Sequence, residues 1–107
     1  MKNKIDSIIL EWSQGKVAGF QGKNLIDLDN GSIKLVKIEP LANYPEHIHP
    51  NKTEFTYVLD GTPEFIIDGF NYRGKKDDFF IFHVAVKHAI LNTSDKQCLI
   101  IVGAINT

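Results

Sequence analysis

The segment Pro45–Gly61, PEHIHPNKTEFTYVLDG, decides how this chain can fold. It places His47 and His49 two residues apart. Side chains at that spacing point to different sides of a helix but share one face of a strand. The two imidazoles therefore converge only if the backbone is extended, and the prolines on both sides favour that geometry in the residues before them.

Glu54 follows His49 after four residues, Pro50–Thr53, that suit a turn. A reversal there brings Glu54, on the next strand, opposite the two histidines. Along that strand one face carries Glu54, Thr56 and Val58, and the other carries Phe55, Tyr57 and Leu59. Two imidazoles and a carboxylate are typical metal ligands, although the same residues also fit a surface hairpin with polar side chains.

The rest of the chain reads as short strands separated by turns. Asn30-Gly31 is a hairpin signal between residues 25–28 and 33–38, because both turn residues accept positive φ. Further turns are predicted at Asp60-Gly61, Asp68-Gly69 and residues 74–76. Only residues 6–11 favour a short helix. Turns every 8–12 residues or so indicate an all-β antiparallel sandwich or barrel.

Length and charge restrict the possible functions. The 107 residues predict one domain, with a short N-terminal arm over residues 1–22 and a β-barrel over residues 23–105. Twelve basic and 13 acidic residues argue against nucleic acid and against membrane as partners. Arg73 is the single arginine, so the chain is poorly equipped to grip a heavily anionic ligand. A small-molecule ligand is the expected partner.

The single cysteine and the N-terminal sequence favour a cytoplasmic location. Cys98 cannot form an intrachain disulfide and fits a reducing compartment, where a lone Cys in an apolar run is usually a core residue. The apolar patch at residues 8–10 is too short for a signal sequence or a membrane span.

Two runs, Phe79–Phe82 and Cys98–Val102, are apolar at every position. In a strand with one face exposed to solvent, apolar and polar residues should alternate. These two strands are therefore expected to be covered on both faces. A homodimer would supply that cover, since most soluble oligomers have two-fold symmetry. The alternative is that residues 5–20 cover both strands.

Two stretches resemble the conserved motifs of the cupin superfamily. The first motif, G-x5-H-x-H-x4-E-x6-G, is matched by His47, His49, Glu54 and Gly61, with Leu41 in place of the first glycine. The second, G-x5-P-x-G-x2-H-x3-N, is matched only by its histidine and asparagine. Asp77, His83 and Ala85 stand where this motif has glycine, proline and glycine. His88 and Asn92 are the histidine and asparagine that match.

The resemblance implies a jelly-roll, or double-stranded β-helix, barrel with one divalent metal ion inside. It implies that the ligands are His47, His49, Glu54 and His88. Loss of the second motif's glycines and proline puts the loop before His88 in doubt. These ligand types leave iron, manganese, nickel and zinc open. Because imidazole must be neutral to bind, metal affinity should fall below about pH 6.

Three further residues are predicted to contact a substrate: His83, Thr56 and Tyr57. Thr56 and Asn92 are also candidates to accept hydrogen bonds from metal-bound histidines. The resemblance suggests a metal-dependent oxygenase or isomerase acting on a small organic molecule. The alternatives are a non-catalytic module that binds a metal or a sugar-like ligand, and a barrel without metal.

Overall fold

In the computed structural model, which describes residues 3–107, the chain forms two antiparallel β-sheets that pack face to face. The strands are β1 Ser13–Gln14, β2 Phe20–Leu28, β3 Gly31–Ile38, β4 Asn43–His47, β5 Lys52–Asp60, β6 Glu64–Ile67, β7 Phe70–Arg73, β8 Phe79–Phe82, β9 His88–Leu91 and β10 Cys98–Asn106. One sheet has the order β1-β2-β3-β10-β5-β8 and the other β4-β9-β6-β7. The predicted all-β jelly-roll barrel is confirmed.

The hydrophobic core lies between the sheets, where alternate residues of each strand point inward. Val58 on β5 and Ile100 on β10 are fully buried and face each other across the strand pair. Phe65 from β6 and Phe82 from β8 close the core, with ring centroids 6.0 Å apart. Cys98 is a buried member of the same cluster. The thiol is therefore a packing group.

The predicted hairpin turns match the structure to different extents. Asp68-Gly69 joins β6 to β7, and both residues have positive φ, as a tight hairpin requires. The prediction for the first hairpin is wrong in detail. Its two turn residues are Asp29-Asn30, Gly31 begins β3, and neither Asn30 nor Gly31 has positive φ. A Cβ on Gly31 would lie 2.7 Å from the carbonyl oxygen of Ala104, so close strand approach explains this glycine.

The N-terminal arm joins the larger sheet. A 3-10 helix at Ser7–Ile9, capped by the Asp6 carboxylate, stands where a short helix was predicted. Strand β1 then pairs with β2, and β2 begins at Phe20. The boundary that the sequence placed after residue 22 thus falls inside β2, because the arm hydrogen-bonds to this strand. Residues 3–107 contain no helix long and apolar enough to cross a membrane.

The two apolar runs are covered to different extents. Cys98 and Ile100 on β10 are fully buried, whereas Phe79 and Ile81 on β8 are 52% and 42% exposed. Strand β8 is one edge of the larger sheet, and the arm pairs at the opposite edge. The arm therefore does not cover β8, which excludes the alternative that residues 5–20 cover both runs.

Candidate metal centre

Four side chains from three strands and a loop converge inside the barrel. His47, His49, Glu54 and His88 each direct one potential ligand atom inward, and these atoms lie within 4.8 Å of one another. Ligand atoms bound at about 2.1 Å from one ion lie roughly 3–4 Å apart. Small movements of these side chains toward one another would therefore bring the four atoms to metal-binding distances. His88 is buried and the other three are half-buried.

A β-bulge in β4 sets the direction of His47. In the pairing of β4 with β9, Tyr44 lies opposite Ile90 and His47 opposite His88, so β4 carries one extra residue. An extra residue reverses the alternation of faces. Tyr44 and His47, three apart in sequence, therefore both point into the barrel, with ring centroids 4.7 Å apart.

Backbone carbonyls hold two imidazoles in the tautomer that metal binding needs. The Nδ1 of His47 lies 2.9 Å from the carbonyl oxygen of Pro45, and the Nδ1 of His88 lies 3.0 Å from that of Val86. Since a carbonyl only accepts, Nδ1 carries the proton and donates it in both residues. Each Nε2 is then free to face the centre of the cluster, as in known metal sites.

The carboxylate of Glu54 is the electrostatic centre of the cluster. Its Oε1 lies 3.0 Å from Nε2 of His49 and 3.2 Å from Nε2 of His88. Burial alone would raise the pKa of Glu54, but the His88 hydrogen bond and the charge of His49 bring the pKa below its ordinary value. An unprotonated Nε2 beside a carboxylate oxygen is favourable only with a proton or a cation between them.

For His49, burial lowers the pKa of the imidazole, while the nearby charge of Glu54 acts to raise it. The neighbouring charges of His47 and Lys52 lower that pKa further. This imidazole therefore stays neutral to a lower pH than a free histidine. A neutral imidazole is the form that coordinates a metal.

The loop before His88 keeps the motif's backbone without the motif's glycines. Leu41, Asp77 and Ala85 stand where the resembled motifs have glycine, and all three have positive φ, at 65°, 76° and 62°. The N–H of Ala85 donates to the carbonyl of His49 at 2.9 Å, which ties the loop to the cluster. With this loop, His88 still points into the cluster. Its ring stacks on Phe82 with ring centroids 4.4 Å apart.

The cluster lies in the wall of a cavity of about 310 Å³ between the sheets. This volume is at the lower end of the range for small-molecule sites, about 300–1,000 Å³. Much of the wall is apolar or aromatic, contributed by Phe20, Val36, Tyr44, Phe82, Ile90 and Ile100. Three lysines also line it: Lys16 from the segment between β1 and β2, Lys34 from β3 and Lys52 from β5. Sequence reasoning missed these lysines, because alternation along β3 puts Lys34 on the face of Val36 and Ile38 but does not say which face points inward.

The three residues predicted to contact a substrate lie outside this cavity wall. His83 is exposed in the loop before β9. Thr56 points inward but is fully buried, and its hydroxyl donates to the carbonyl of Ile101 at 2.8 Å. Tyr57 lies on the outer face and donates to Asp77 at 2.9 Å. Thr56 is therefore part of the core packing, and Tyr57 contacts the turn between β7 and β8.

Asn92 also has a structural position. Its side-chain amide donates to the carbonyls of Ile38, Glu39 and Lys96, at 3.2, 3.2 and 2.7 Å. It ties the chain after β9 to the end of β3. The acceptors beside His47 and His88 are backbone carbonyls, which occupy the role suggested from sequence for Asn92 and Thr56.

Comparison with known proteins agrees with this geometry. The family model described as "Cupin domain" matches residues 34–103. The chain belongs to the cupin family. This match includes all four cluster residues. Among curated proteins, this cupin is 28% identical over 68 residues to "Polyketide synthase CurC" of Streptomyces cyaneus, covering 64% of this chain and 44% of that protein. The chain spans less than half the length of the curated relatives it matches.

Solved cupin-like structures superpose on nearly the whole chain. A predicted oxalate decarboxylase from Thermotoga maritima gives a TM-score of 0.90 at 18% identity, covering 97% of this chain and 99% of that one. The polyketide cyclase RemF from Streptomyces resistomycificus gives 0.87 at 17% identity, covering 98% and 80%. At such identities the likeness shows a shared fold.

Proposed function

We propose that this cupin binds one divalent transition-metal ion through His47, His49, Glu54 and His88, and that it is a metal-dependent enzyme acting on a small organic molecule. The observation that carries the proposal is the convergence of four ligand atoms with two imidazole tautomers fixed by backbone carbonyls. Three imidazoles and one carboxylate suit iron, manganese, nickel or zinc and leave positions open on a six-coordinate ion.

When bound, the metal would supply Lewis acidity and a template for adjacent substrate oxygens. The protein's own contribution is enclosure and orientation. Phe82 and Tyr44 border the cluster and limit access of water to it. Beside the cluster, the ionisable groups in the wall are the Tyr44 hydroxyl and the lysine ammonium groups, which are the candidates to hold or move a proton. Oxygenation and isomerisation are the two reaction classes proposed.

The primary test is metal content after exposure of purified protein to each metal in turn. The native protein should bind one equivalent, and Glu54→Gln and His49→Ala should lose most of it. His83→Ala is the matched control, because this histidine is exposed and outside the cavity wall. Retention of a full equivalent by both cluster variants would refute the proposed site.

Turnover separates the enzyme from a binding module. Metal-loaded protein is assayed for oxygen consumption and for product formation with small diols, diketones and hydroxy acids. Full metal occupancy without turnover of any class would favour the alternative, in which the cavity holds a metal-bound or sugar-like ligand without reaction.

We also propose that the protein is a homodimer formed through β8. Within residues 3–107 this strand pairs on one side only, with β5, and it exposes Phe79 and Ile81. The Phe55 ring packs beside Phe79 with ring centroids 5.6 Å apart. An exposed apolar edge favours association unless it is covered. Two-fold antiparallel pairing of β8 with its copy would close the edge and bury these side chains.

A further inference from the structure

Three lysines contribute to the cavity wall. On β3, Lys34 shares the parity of the inward-facing Val36 and Ile38, whereas Leu35 faces outward between them. Lys34 is itself exposed, so it lines the part of the cavity that is open to solvent. Lys34 forms no ion pair with any residue in the range 3–107 that the structure describes.

Two more lysines approach the same cavity from other elements. Lys16 lies in the segment between β1 and β2, and Lys52 begins β5. Among the described residues that line the wall, Glu54 alone carries a carboxylate, and His49 and His88 already contact it. Three lysines from separate elements therefore line a cavity in which this carboxylate belongs to the cluster.

The spacing of these groups suits a bifunctional ligand. Strands β3 and β5 lie on either side of β10, so Lys34 and Glu54 are separated across the sheet by two interstrand spacings, about 10 Å. Lys34 pairs with Val102 and Glu54 with Ala104, a further offset of about 7 Å along the strands. Their Cα atoms are thus roughly 12 Å apart. A short carbon chain can span the gap between the cluster and the lysine ammonium group.

We propose that the substrate is a small organic acid whose carboxylate is bound by Lys34, assisted by Lys16 and Lys52, while its other end faces the metal cluster. This inference rests on the proposed metal site and deepens it. A single carboxylate also agrees with the near absence of arginine, since lysines act as point charges and do not form the bidentate forks of diphosphate sites.

The test uses protein loaded with Co²⁺, whose visible absorption reports ligand binding. The probes are 2-oxoglutarate and 2-oxopentanoate, which share a chelating head and differ in the distal carboxylate. Native protein should bind 2-oxoglutarate about tenfold more tightly, the ratio given by about 1.4 kcal/mol, which is the order of one charged hydrogen bond. Because the rim is open to solvent, about 0.5 M NaCl should reduce that ratio.

Lys34→Met should reduce the preference to about twofold or less. Lys37→Met is the matched control: Lys37 lies on the same strand but faces outward, with its Nζ 4.6 Å from the Trp12 ring centroid. It should retain the full preference. Lys34→Gln replaces Lys34→Met if the latter does not fold, and the ratio in native protein requires no variant.

The outcomes separate the two proposals. Full Co²⁺ uptake with equal affinity for both probes overturns the carboxylate site and leaves the metal site standing. A preference that survives in Lys34→Met overturns the assignment to Lys34. Failure of native protein to take up Co²⁺ overturns the metal site, and the inference built on it falls as well.

Discussion

Ala85→Gly should stabilise this protein, although replacing alanine by glycine usually destabilises. Ala85 has φ of 62°, in the left-handed region that non-glycine residues rarely adopt. That conformation costs about 1–2 kcal/mol for a residue with a Cβ. Ala85 is exposed, so removal of its methyl group forfeits almost no burial.

The expected gain is the strain relieved less the additional freedom of glycine in the unfolded chain. The second quantity is about 0.5–1 kcal/mol, so the free energy of unfolding should rise by about 0.5–1 kcal/mol. For a domain of about this size, that corresponds to a rise in Tm of roughly 2–8 °C. The hydrogen bond from the N–H of Ala85 to His49 is retained in the variant, because glycine keeps the donor.

Thermal unfolding followed by circular dichroism in the presence of a chelator measures the effect without interference from metal. Ala18→Gly is the matched control: it makes the same chemical change at an exposed turn residue whose φ is not positive. It should lower the free energy of unfolding by about 0.5–1 kcal/mol. If both variants lose stability equally, the strain argument is refuted.

Three further outcomes are expected. In metal-free protein, the free energy of unfolding should fall with acidification below pH 6.5 and again below pH 4.5, because the lowered pKa values of His49 and Glu54 let the unfolded chain take up protons first. Urea titrations at a series of pH values test this. Glu54→Gln should make the lower step smaller without removing it, because the hydrogen bond from the N–H of Lys75 lowers the pKa of Asp78 as well. Gly103→Ala should destabilise by about 1–3 kcal/mol, because its Cβ would overlap the Phe55 ring. Phe55→Leu should recover part of this loss in urea titrations, and no change in Gly103→Ala would contradict the overlap. Ile81→Lys should shift the mass measured by light scattering from dimer to monomer, whereas a native protein that is already monomeric would contradict the proposed interface.

Much of the fold could be predicted because its signals are local. The Asp68-Gly69 turn depends only on two residues that accept positive φ, and the structure has both in that region. The shared inward face of Glu54 and Val58 follows from the alternation of one uninterrupted strand. Both features depend on neighbouring residues, so they can be predicted without knowledge of long-range contacts.

Other features depend on register, which one sequence does not reveal. The bulge between Tyr44 and His47 places both side chains inward, and counting residues along a regular strand would have placed them on opposite faces. The inward position of Lys34 likewise depends on how β3 pairs with β2 and β10. The cavity's lysines were missed for this reason.

Backbone hydrogen bonds explain how His88 joins the cluster although the second motif has Asp77 and Ala85 where glycine is usual. Glycine is favoured at positive φ because it has no Cβ, but the conformation itself is imposed by hydrogen bonds from the surrounding structure. The N–H of Asp77 donates to Val58 and that of Ala85 to His49, both at 2.9 Å. These bonds hold the segments on both sides of β8 in place despite the strain at each residue. His88 therefore reaches the cluster, and the strain at Asp77 and Ala85 is expected to lower stability without displacing His88.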